Sequence, residues 1–288
     1  MHPTALITGA SSGIGRALAG RFVAHGYDVI LVARNESALE DVGRALSGLR
    51  QGSGPARQSE AEAAGPPRGA DKSAAAGGTK VRVISADLSV PHSGQALVNR
   101  LRADNLPVDV LVNNAGFGLQ GEFATLSMDQ QIEMIQLNAV TLTELTRLLL
   151  PAMLERRTGG VLNVASTAAF QPGPMMSVYY ATKAYVLSFT EGIAEEVVGS
   201  GVKVSCLCPG PTESSFADRA GMTDTNLFKS STWMSADDVA REGFDGWNRG
   251  KAVVIPGFAN RRGAMVVRFA PRQLVRRIVK RLNSTGSK

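Results

Sequence analysis

The hydrophobic residues of the chain fall into seven short, nearly all-apolar runs, separated by stretches with helical periodicity. The runs lie at residues 3–8, 27–33, 80–85, 108–113, 160–165, 202–208 and 252–255. Apolar runs of this length are typical of strands that are buried on both faces, as in a sheet covered by helices. The alternation predicts one α/β domain over residues 1–256 rather than two domains.

A glycine-rich turn follows the first run directly. Gly9, Gly13 and Gly15 come after residues 3–8, and helical periodicity begins at Ile14. A strand, a glycine turn and a helix in this order form a dinucleotide site, where Gly9 allows the tight turn and Gly13 lets the backbone approach a pyrophosphate. Gly15 permits close helix packing, and the helix N-terminus attracts phosphate. A purely structural turn is the alternative. The turn also offers two hydroxyl donors, Ser11 and Ser12.

Three polar groups further along the chain indicate acid–base chemistry. Ser166 precedes Tyr179 and Lys183, which stand four residues apart and therefore share one face of a helix. The ammonium can then favour the ionised form of the phenol, whose ordinary pKa is ~10, and make it a usable acid or base. Alternatively, Tyr179 is a helix-face aromatic and Lys183 a solvated charge.

Together these features resemble the short-chain dehydrogenase/reductase family, in its shorter, single-domain subgroup. The family's motifs are matched in order by Thr8 to Gly15, Asn113-Asn114-Ala115-Gly116, the tetrad Asn138, Ser166, Tyr179 and Lys183, and the loop Pro209-Gly210 with Thr212. The resemblance implies a Rossmann-type, doubly wound parallel sheet in one α/β domain, with the ligand at the carboxyl ends of the strands. Extended relatives that act as epimerases or dehydratases match the glycine spacing and length less well.

The resemblance also implies roles for the site residues. NADPH would transfer hydride to a carbonyl carbon, with Tyr179 as general acid/base and Ser166 hydrogen-bonding the oxygen. Lys183 would also hold the nicotinamide ribose, and Asn138 a proton-relaying water, unless Asn138 is a packing polar group. Thr212 would bind the carboxamide. The predicted cofactor-binding residues are Thr8, Gly9, Ser11, Ser12, Gly13, Ile14, Gly15, Arg34, Asp87, Leu88, Asn114, Ala115, Gly116, Tyr179, Lys183, Pro209, Gly210 and Thr212.

The residues after the second run favour NADP(H) over NAD(H). NAD sites usually present a carboxylate there to the ribose 2′-hydroxyl, whereas this chain has Ala33 followed by Arg34, which can grip a 2′-phosphate bidentately. Against this, Arg34 could be a solvated charge before a helix capped by Asn35, and Ser12 stands where the family often has an extra basic residue. By resemblance Asp87 binds the adenine amino group; a loop carboxylate is the alternative.

The substrate is predicted only as a class. A lid over residues 213–234 carries Phe216, Met222, Leu227, Phe228 and Trp233, and Phe170, Met175 and Met176 precede the catalytic helix. These residues indicate a roomy apolar pocket for a lipophilic ketone, acyl chain or steroid-like alcohol, although such residues are more often plain packing. An NAD-dependent alcohol dehydrogenase and an NADP-binding sensor or scaffold without turnover remain alternatives.

Two segments depart from the α/β pattern. Residues 50–79 are rich in Gly, Ala, Pro and Ser and predict a disordered surface insertion. The tail, residues 257–288, holds nine Lys and Arg and no acidic residue, which leaves 22 basic against 25 acidic residues elsewhere. Residues 271–282 predict a basic amphipathic helix that either packs on the enzyme or a second subunit, or lies on an anionic membrane. Its apolar positions are Leu274, Val275, Ile278, Val279 and Leu282.

The remaining expectations concern location and partners. Neither a signal-peptide pattern nor a membrane-spanning apolar run is evident, and Cys206 and Cys208 are interpreted as reduced core residues, so a cytoplasmic setting with peripheral membrane contact at most is expected. No basic stripe with interleaved aromatics predicts nucleic-acid binding, and no metal site is predicted. By resemblance, the chain would form a dimer or tetramer through helices near Asp129 and Ser177.

Overall fold

A computed structural model describes residues 2–48, 79–214, 216–227 and 233–285 of the 288-residue chain. Except for Thr79, the predicted insertion lies outside the described residues, and so does Phe228 of the predicted lid. None of the helices in the described part has the length and apolar character needed to cross a bilayer.

Seven parallel strands form one sheet at the centre of the fold. The strands are β1 (Thr4–Thr8), β2 (Asp28–Ala33), β3 (Val81–Ser85), β4 (Val110–Asn113), β5 (Gly160–Val164), β6 (Lys203–Leu207) and β7 (Val253–Val254). Their order is β3-β2-β1-β4-β5-β6-β7, which confirms the doubly wound sheet. Because the order reverses between β1 and β4, a crevice opens at the carboxyl ends of these strands.

Helices cover both faces of the sheet, which explains the continuous apolar runs. The α-helices are α1 (Gly13–Ala24), α2 (Glu36–Gly48), α3 (Ser93–Ala103), α4 (Met128–Ile135), α5 (Leu142–Arg156), α6 (Ser177–Glu196), α7 (Phe216–Ala220), α8 (Ala236–Asn248), α9 (Phe258–Phe269) and α10 (Arg272–Asn283). In β1, Ala5 and Ile7 pack with Phe22 in one core, whereas Leu6 packs with Leu145 in the other. Alternate side chains of one strand thus fill opposite layers.

The helix predicted near Asp129 contains a feature that the sequence did not predict. Between α4 and α5 the backbone forms a π-helical turn, Gln136–Thr141, so one continuous helix changes its pitch there. Such turns are rare and often occur at functional sites. Asn138, a predicted tetrad residue, lies within this turn.

The basic amphipathic helix is present and packs on the body of the protein. Val275 and Val279 of α10 are buried together with Tyr179 and Tyr180 of α6. Asn283, at the end of α10, is fully buried. The inner face of the predicted helix therefore covers part of the catalytic helix, while its other side faces solvent.

Candidate active site

A cavity of about 360 Å³ opens at the carboxyl ends of the strands. The predicted cofactor residues that line it are Gly9, Ser11, Ser12, Gly13, Ile14, Arg34, Asp87, Leu88, Asn114, Ala115, Gly116, Tyr179, Lys183, Pro209, Gly210 and Thr212. Ser166 lines it too. Residues from seven separate parts of the chain thus meet in one place.

The glycine turn has the backbone that the sequence predicted. Gly9 and Gly13 have φ values of +65° and +53°, in the left-handed region that favours glycine. A Cβ on Gly13 would lie 3.0 Å from the Ser214 side chain, so a larger residue would crowd the cavity. A Cβ on Gly15 would lie 2.3 Å from the Gly9 carbonyl oxygen. Gly15 thus serves close packing of α1 and does not line the cavity.

Thr8 does not line the cavity but supports the glycine turn through hydrogen bonds. Its hydroxyl accepts hydrogen bonds from the backbone N–H groups of Asn114 and Ala115, each at 3.0 Å, and donates to the Val112 carbonyl oxygen. The Asn114 amide in turn donates to the carbonyl oxygens of Thr8 and Gly9. These bonds tie β1 to the segment after β4, so Thr8 positions the turn.

Arg34 and Asp87 lie at the end of the cavity formed by β2 and β3. The Arg34 side chain is exposed, and no carboxylate stands at Ala33. Asp87 accepts hydrogen bonds from the Ser89 backbone N–H and hydroxyl. Burial acts to raise the pKa of Asp87, but the bonds from Ser89 and the charge of Arg34 prevail and hold that pKa below its ordinary value.

Tyr179 and Lys183 are both buried on one face of α6. The Lys183 ammonium donates to the Val164 carbonyl oxygen at 2.8 Å and lies 5.8 Å from the centre of the Tyr179 ring. The Ser166 hydroxyl accepts from the Ala168 N–H at 3.1 Å and donates to the Pro209 carbonyl oxygen at 3.4 Å. The sequence thus predicted correctly that the helix brings the phenol and the ammonium together.

The pKa shifts differ from the expectation. Burial raises the pKa of Tyr179, although its hydrogen bond with Ser166 acts in the opposite direction. Burial also lowers the pKa of Lys183 to about 8, while Cys206 and Cys208 act to raise it. The sequence predicted a lowered pKa for Tyr179, whereas that pKa is raised, because burial of the phenol outweighs its hydrogen bond with Ser166.

Asn138 does not line the cavity but lies just behind it. Its side-chain amide donates to the Phe117 carbonyl oxygen at 2.9 Å and to the Thr182 hydroxyl at 3.1 Å, and its oxygen accepts from the Phe117 N–H. A Cβ on Gly116 would lie 2.9 Å from the Asn138 oxygen and 3.5 Å from the Lys183 nitrogen. The π-helical turn therefore brings Asn138 close to the lysine.

The loop after β6 carries the other predicted residues. The Thr212 hydroxyl donates to the Gly210 carbonyl oxygen at 2.9 Å, and Thr212 pairs with Met234 in an isolated β-bridge. Cys206 and Cys208 are buried as free cysteines in the preceding segment.

The cavity also has an apolar wall, beside which Gln171 and Arg219 line it too. Met176, Phe216, Met222 and Leu227 line it as the sequence predicted, whereas Phe170, Met175 and Trp233 do not. Phe170 packs in a separate core with Val186 and Leu187.

Sequence reasoning missed Val279 and Leu282 of α10 as cavity residues. Their helical spacing signalled an apolar face, but only the path of the tail places that face at the cavity.

The sheet is doubly wound, a glycine turn follows its first strand, and a Ser, Tyr and Lys group lies at the same edge. These features together define a dinucleotide-dependent oxidoreductase. The model of the short chain dehydrogenase family matches residues 3–56 and 62–225. The chain therefore belongs to that family and is an NAD(P)-dependent oxidoreductase.

Known proteins similar to the chain fall in the same class. It is 33% identical over 225 residues to the ketoacyl reductase HetN of Nostoc sp., covering 78% of this chain and 67% of that protein. A short-chain dehydrogenase from Sphingobium yanoikuyae in complex with NADPH is 31% identical, with a TM-score of 0.73 over 95% of this chain and 94% of that one. The bulky-bulky ketone specific alcohol dehydrogenase of Comamonas testosteroni is 25% identical, with a TM-score of 0.71 over 95% and 93%.

Proposed function

We propose that the protein is an NADPH-dependent oxidoreductase that interconverts a carbonyl and an alcohol on a lipophilic small molecule. One observation carries the proposal: Ser166, Tyr179 and Lys183 lie in a cavity that has a glycine turn at one end and an apolar wall at the other. The acid–base group therefore stands between a site suited to a dinucleotide and a site suited to an apolar substrate.

The residues at the glycine end fit a nicotinamide dinucleotide. The N-terminus of α1 faces the cavity through Gly13, and the first N–H groups of a helix have no acceptor within it. They can bind a pyrophosphate, since the missing Cβ leaves the space open. Pro209, Gly210 and Thr212 would hold the nicotinamide end.

The preference for NADPH rests on the region after β2. Ala33 presents no carboxylate to repel a 2′-phosphate, and the exposed Arg34 guanidinium can bind one with two parallel hydrogen bonds. The relative from Sphingobium yanoikuyae, which binds NADPH, supports this assignment. NAD(H) is the alternative that the experiment below includes.

The proposed chemistry divides hydride and proton between cofactor and protein. When it is bound, the nicotinamide supplies or accepts the hydride. The Tyr179 phenol donates its proton to a carbonyl oxygen, and its hydrogen bond with Ser166, which acts against the pKa rise caused by burial, favours this transfer. Ser166 hydrogen-bonds that oxygen as negative charge develops on it. The Lys183 ammonium stabilises the remaining phenolate and holds the nicotinamide ribose, and a water on Asn138 relays protons to Lys183.

The substrate follows from the apolar wall. Met176, Phe216, Met222 and Leu227 come from the predicted region, and Val279 and Leu282 come from α10. Burying apolar substrate surface stabilises the complex by roughly 25 cal/mol per Å². The names of two similar proteins, a ketoacyl reductase and a bulky-bulky ketone specific alcohol dehydrogenase, support a lipophilic ketone or acyl chain.

We also propose that the chain forms a homodimer or homotetramer. Met128, Ile132 and Ile135 of α4 and Tyr185 of α6 are exposed although they are large and apolar or aromatic. Surfaces of this kind mark contact sites between proteins. Light scattering should therefore give at least twice the 30.3 kDa mass of one chain; a mass of one chain would contradict this part of the proposal.

The deciding experiment measures NADPH oxidation with ketones and aldehydes graded in length and bulk. NADH and the Tyr179→Phe variant are run in parallel. We expect turnover that prefers NADPH, increases with apolar bulk, and falls by roughly 10²–10⁴-fold in the variant, while the variant still binds NADPH. Equal turnover by Tyr179→Phe would contradict the proposed mechanism. NADPH binding without turnover on any substrate would instead favour a sensor.

A further inference from the structure

The last two helices leave large apolar side chains in solvent. On α9, Phe258, Met265 and Phe269 are 68%, 65% and 84% exposed. Their spacing of seven and four residues places them on one face of the helix. Ala264, which points away from that face, is buried instead. Helix α9 therefore packs on the protein with one side and presents an apolar stripe with the other.

Helix α10 has the same division. Val275 and Val279 are buried, whereas Leu274 and Ile278, also four residues apart, are 51% and 50% exposed. The inner face contributes to the cavity described above. The outer side has no described partner that would account for its exposed leucine and isoleucine.

Every charge on these two helices is positive. Their basic residues are Arg261, Arg262, Arg268, Arg272, Arg276, Arg277, Lys280 and Arg281. The sequence has no acidic residue after residue 256. Among the described residues, the salt bridge formed by this group joins Arg261 to Glu242 at 3.2 Å. The rest of the group carries a charge that the protein itself leaves largely uncompensated.

We propose that α9 and α10 form a docking surface for an anionic lipid membrane. Exposed Phe, Met, Leu and Ile side chains enter the boundary between headgroups and acyl chains, and neighbouring Arg and Lys bind lipid phosphates. A second copy of the chain fits this surface poorly, because a two-fold contact would place like charges against each other.

The position of α10 gives membrane docking a consequence for the reaction. One helix presents Val279 and Leu282 to the cavity and leaves Leu274 and Ile278 half exposed to solvent. A substrate dissolved in the bilayer would then meet the cavity wall directly. This consequence rests on the proposed function, whereas docking itself does not.

The test is flotation of the full-length protein with phosphatidylcholine vesicles, with and without phosphatidylglycerol. We expect roughly tenfold or stronger enrichment on the anionic vesicles, reduced by high salt. The Phe258→Ser/Phe269→Ser and Arg276→Glu/Arg277→Glu double variants should each lose most of this binding. All four residues are exposed, so the variants should keep the wild-type unfolding temperature.

Val198→Ser is the control. Val198 is 74% exposed, and its neighbour Gly199 accepts a hydrogen bond from Arg157 at the amino ends of β5 and β6. It therefore lies at the edge of the sheet opposite the cavity and α10, and its replacement should leave vesicle binding unchanged. Equal binding to neutral and anionic vesicles, or none to either, would overturn the proposal. So would a dimer that Phe258→Ser/Phe269→Ser dissociates while the wild type does not float. Flotation needs no turnover, so it tests membrane docking even if the proposed reductase activity is not found.

Discussion

The hydroxyl of Tyr180 donates a hydrogen bond to the side-chain oxygen of Asn283 at 3.2 Å. This bond joins the last helix to the residue next to Tyr179. The Asn283 amide also donates to the Pro174 carbonyl oxygen at 3.0 Å, and its backbone oxygen accepts from Gln120 at 3.1 Å. The end of α10 is therefore fastened to three segments around the substrate end of the cavity.

Replacement of Asn283 should loosen this attachment. Asn283→Leu keeps the branched shape of the side chain but leaves the Tyr180 hydroxyl and the Pro174 carbonyl without these buried partners, at a cost of about 1–3 kcal/mol each. We expect the free energy of urea unfolding to fall by about 2–4 kcal/mol, and KM for the best ketone to rise more than kcat falls. Ser284→Ala is the control, because the Ser284 hydroxyl donates to the Lys280 carbonyl oxygen in the neighbouring last turn of α10 rather than to the body of the protein. Unchanged unfolding in Asn283→Leu would contradict this role.

The sequence predicted much of the fold because the relevant signals are local. Each buried strand is one apolar run, and the glycine turn needs the positive φ values seen at Gly9 and Gly13. The Tyr179 and Lys183 pair follows from helical spacing alone. These features need no knowledge of distant residues, so one chain is enough to predict them.

What the sequence did not predict depends on contacts between distant segments. The burial of Asn283 and the position of Val279 at the cavity require the path of the tail across α6. The raised pKa of Tyr179 likewise depends on burial, which side-chain spacing cannot give. Phe170 faces another core because the short helix at Thr167–Phe170 turns it away from the cavity.

Arg34→Glu should change cofactor preference. Loss of a charge-assisted bidentate contact costs about 1.5–3 kcal/mol, and the new carboxylate can accept from a ribose 2′-hydroxyl. We expect the ratio of Kd for NADPH to Kd for NADH to rise roughly ten- to a hundredfold. Arg44→Glu makes the same charge change at an exposed position on α2. If both variants shift the ratio equally, long-range charge rather than direct contact is responsible.

The lowered pKa of Lys183 makes a prediction about stability in the protein without cofactor. Its pKa is about 8 when folded against 10.5 ordinarily, so the folded state disfavours the charged form. Below pH 8 the free energy of unfolding is lowered by the full cost of burying the charged Lys183 amine. This cost declines as pH rises towards 10.5, because the amine loses its proton at a lower pH in the folded state than in the unfolded chain. At 1.36 kcal/mol per pKa unit, the penalty is about 3 kcal/mol.

Lys183→Met should therefore stabilise the cofactor-free protein at neutral pH while abolishing turnover. The gain should be smaller than the full penalty, because the Val164 carbonyl oxygen loses its donor. Urea unfolding should show the gain at neutral pH and little of it above the ordinary lysine pKa. Lys251→Met, at an exposed lysine, is the control for loss of one positive charge without loss of a buried one. A variant less stable than wild type at neutral pH would argue against the burial penalty.

Gly13→Ala tests the dinucleotide site with a matched pair of glycines. Gly13 and Gly26 both have positive φ, +53° and +85°, but a Cβ on Gly13 lies 3.0 Å from Ser214, whereas one on Gly26 meets nothing within 4 Å. Both alanines should cost about 1–2 kcal/mol of unfolding free energy through backbone strain. Only Gly13→Ala should also weaken NADPH binding, roughly tenfold or more, because its methyl group enters the space for the pyrophosphate. Equal loss of NADPH affinity in both variants would show that strain alone, and not the shape of the turn, governs binding.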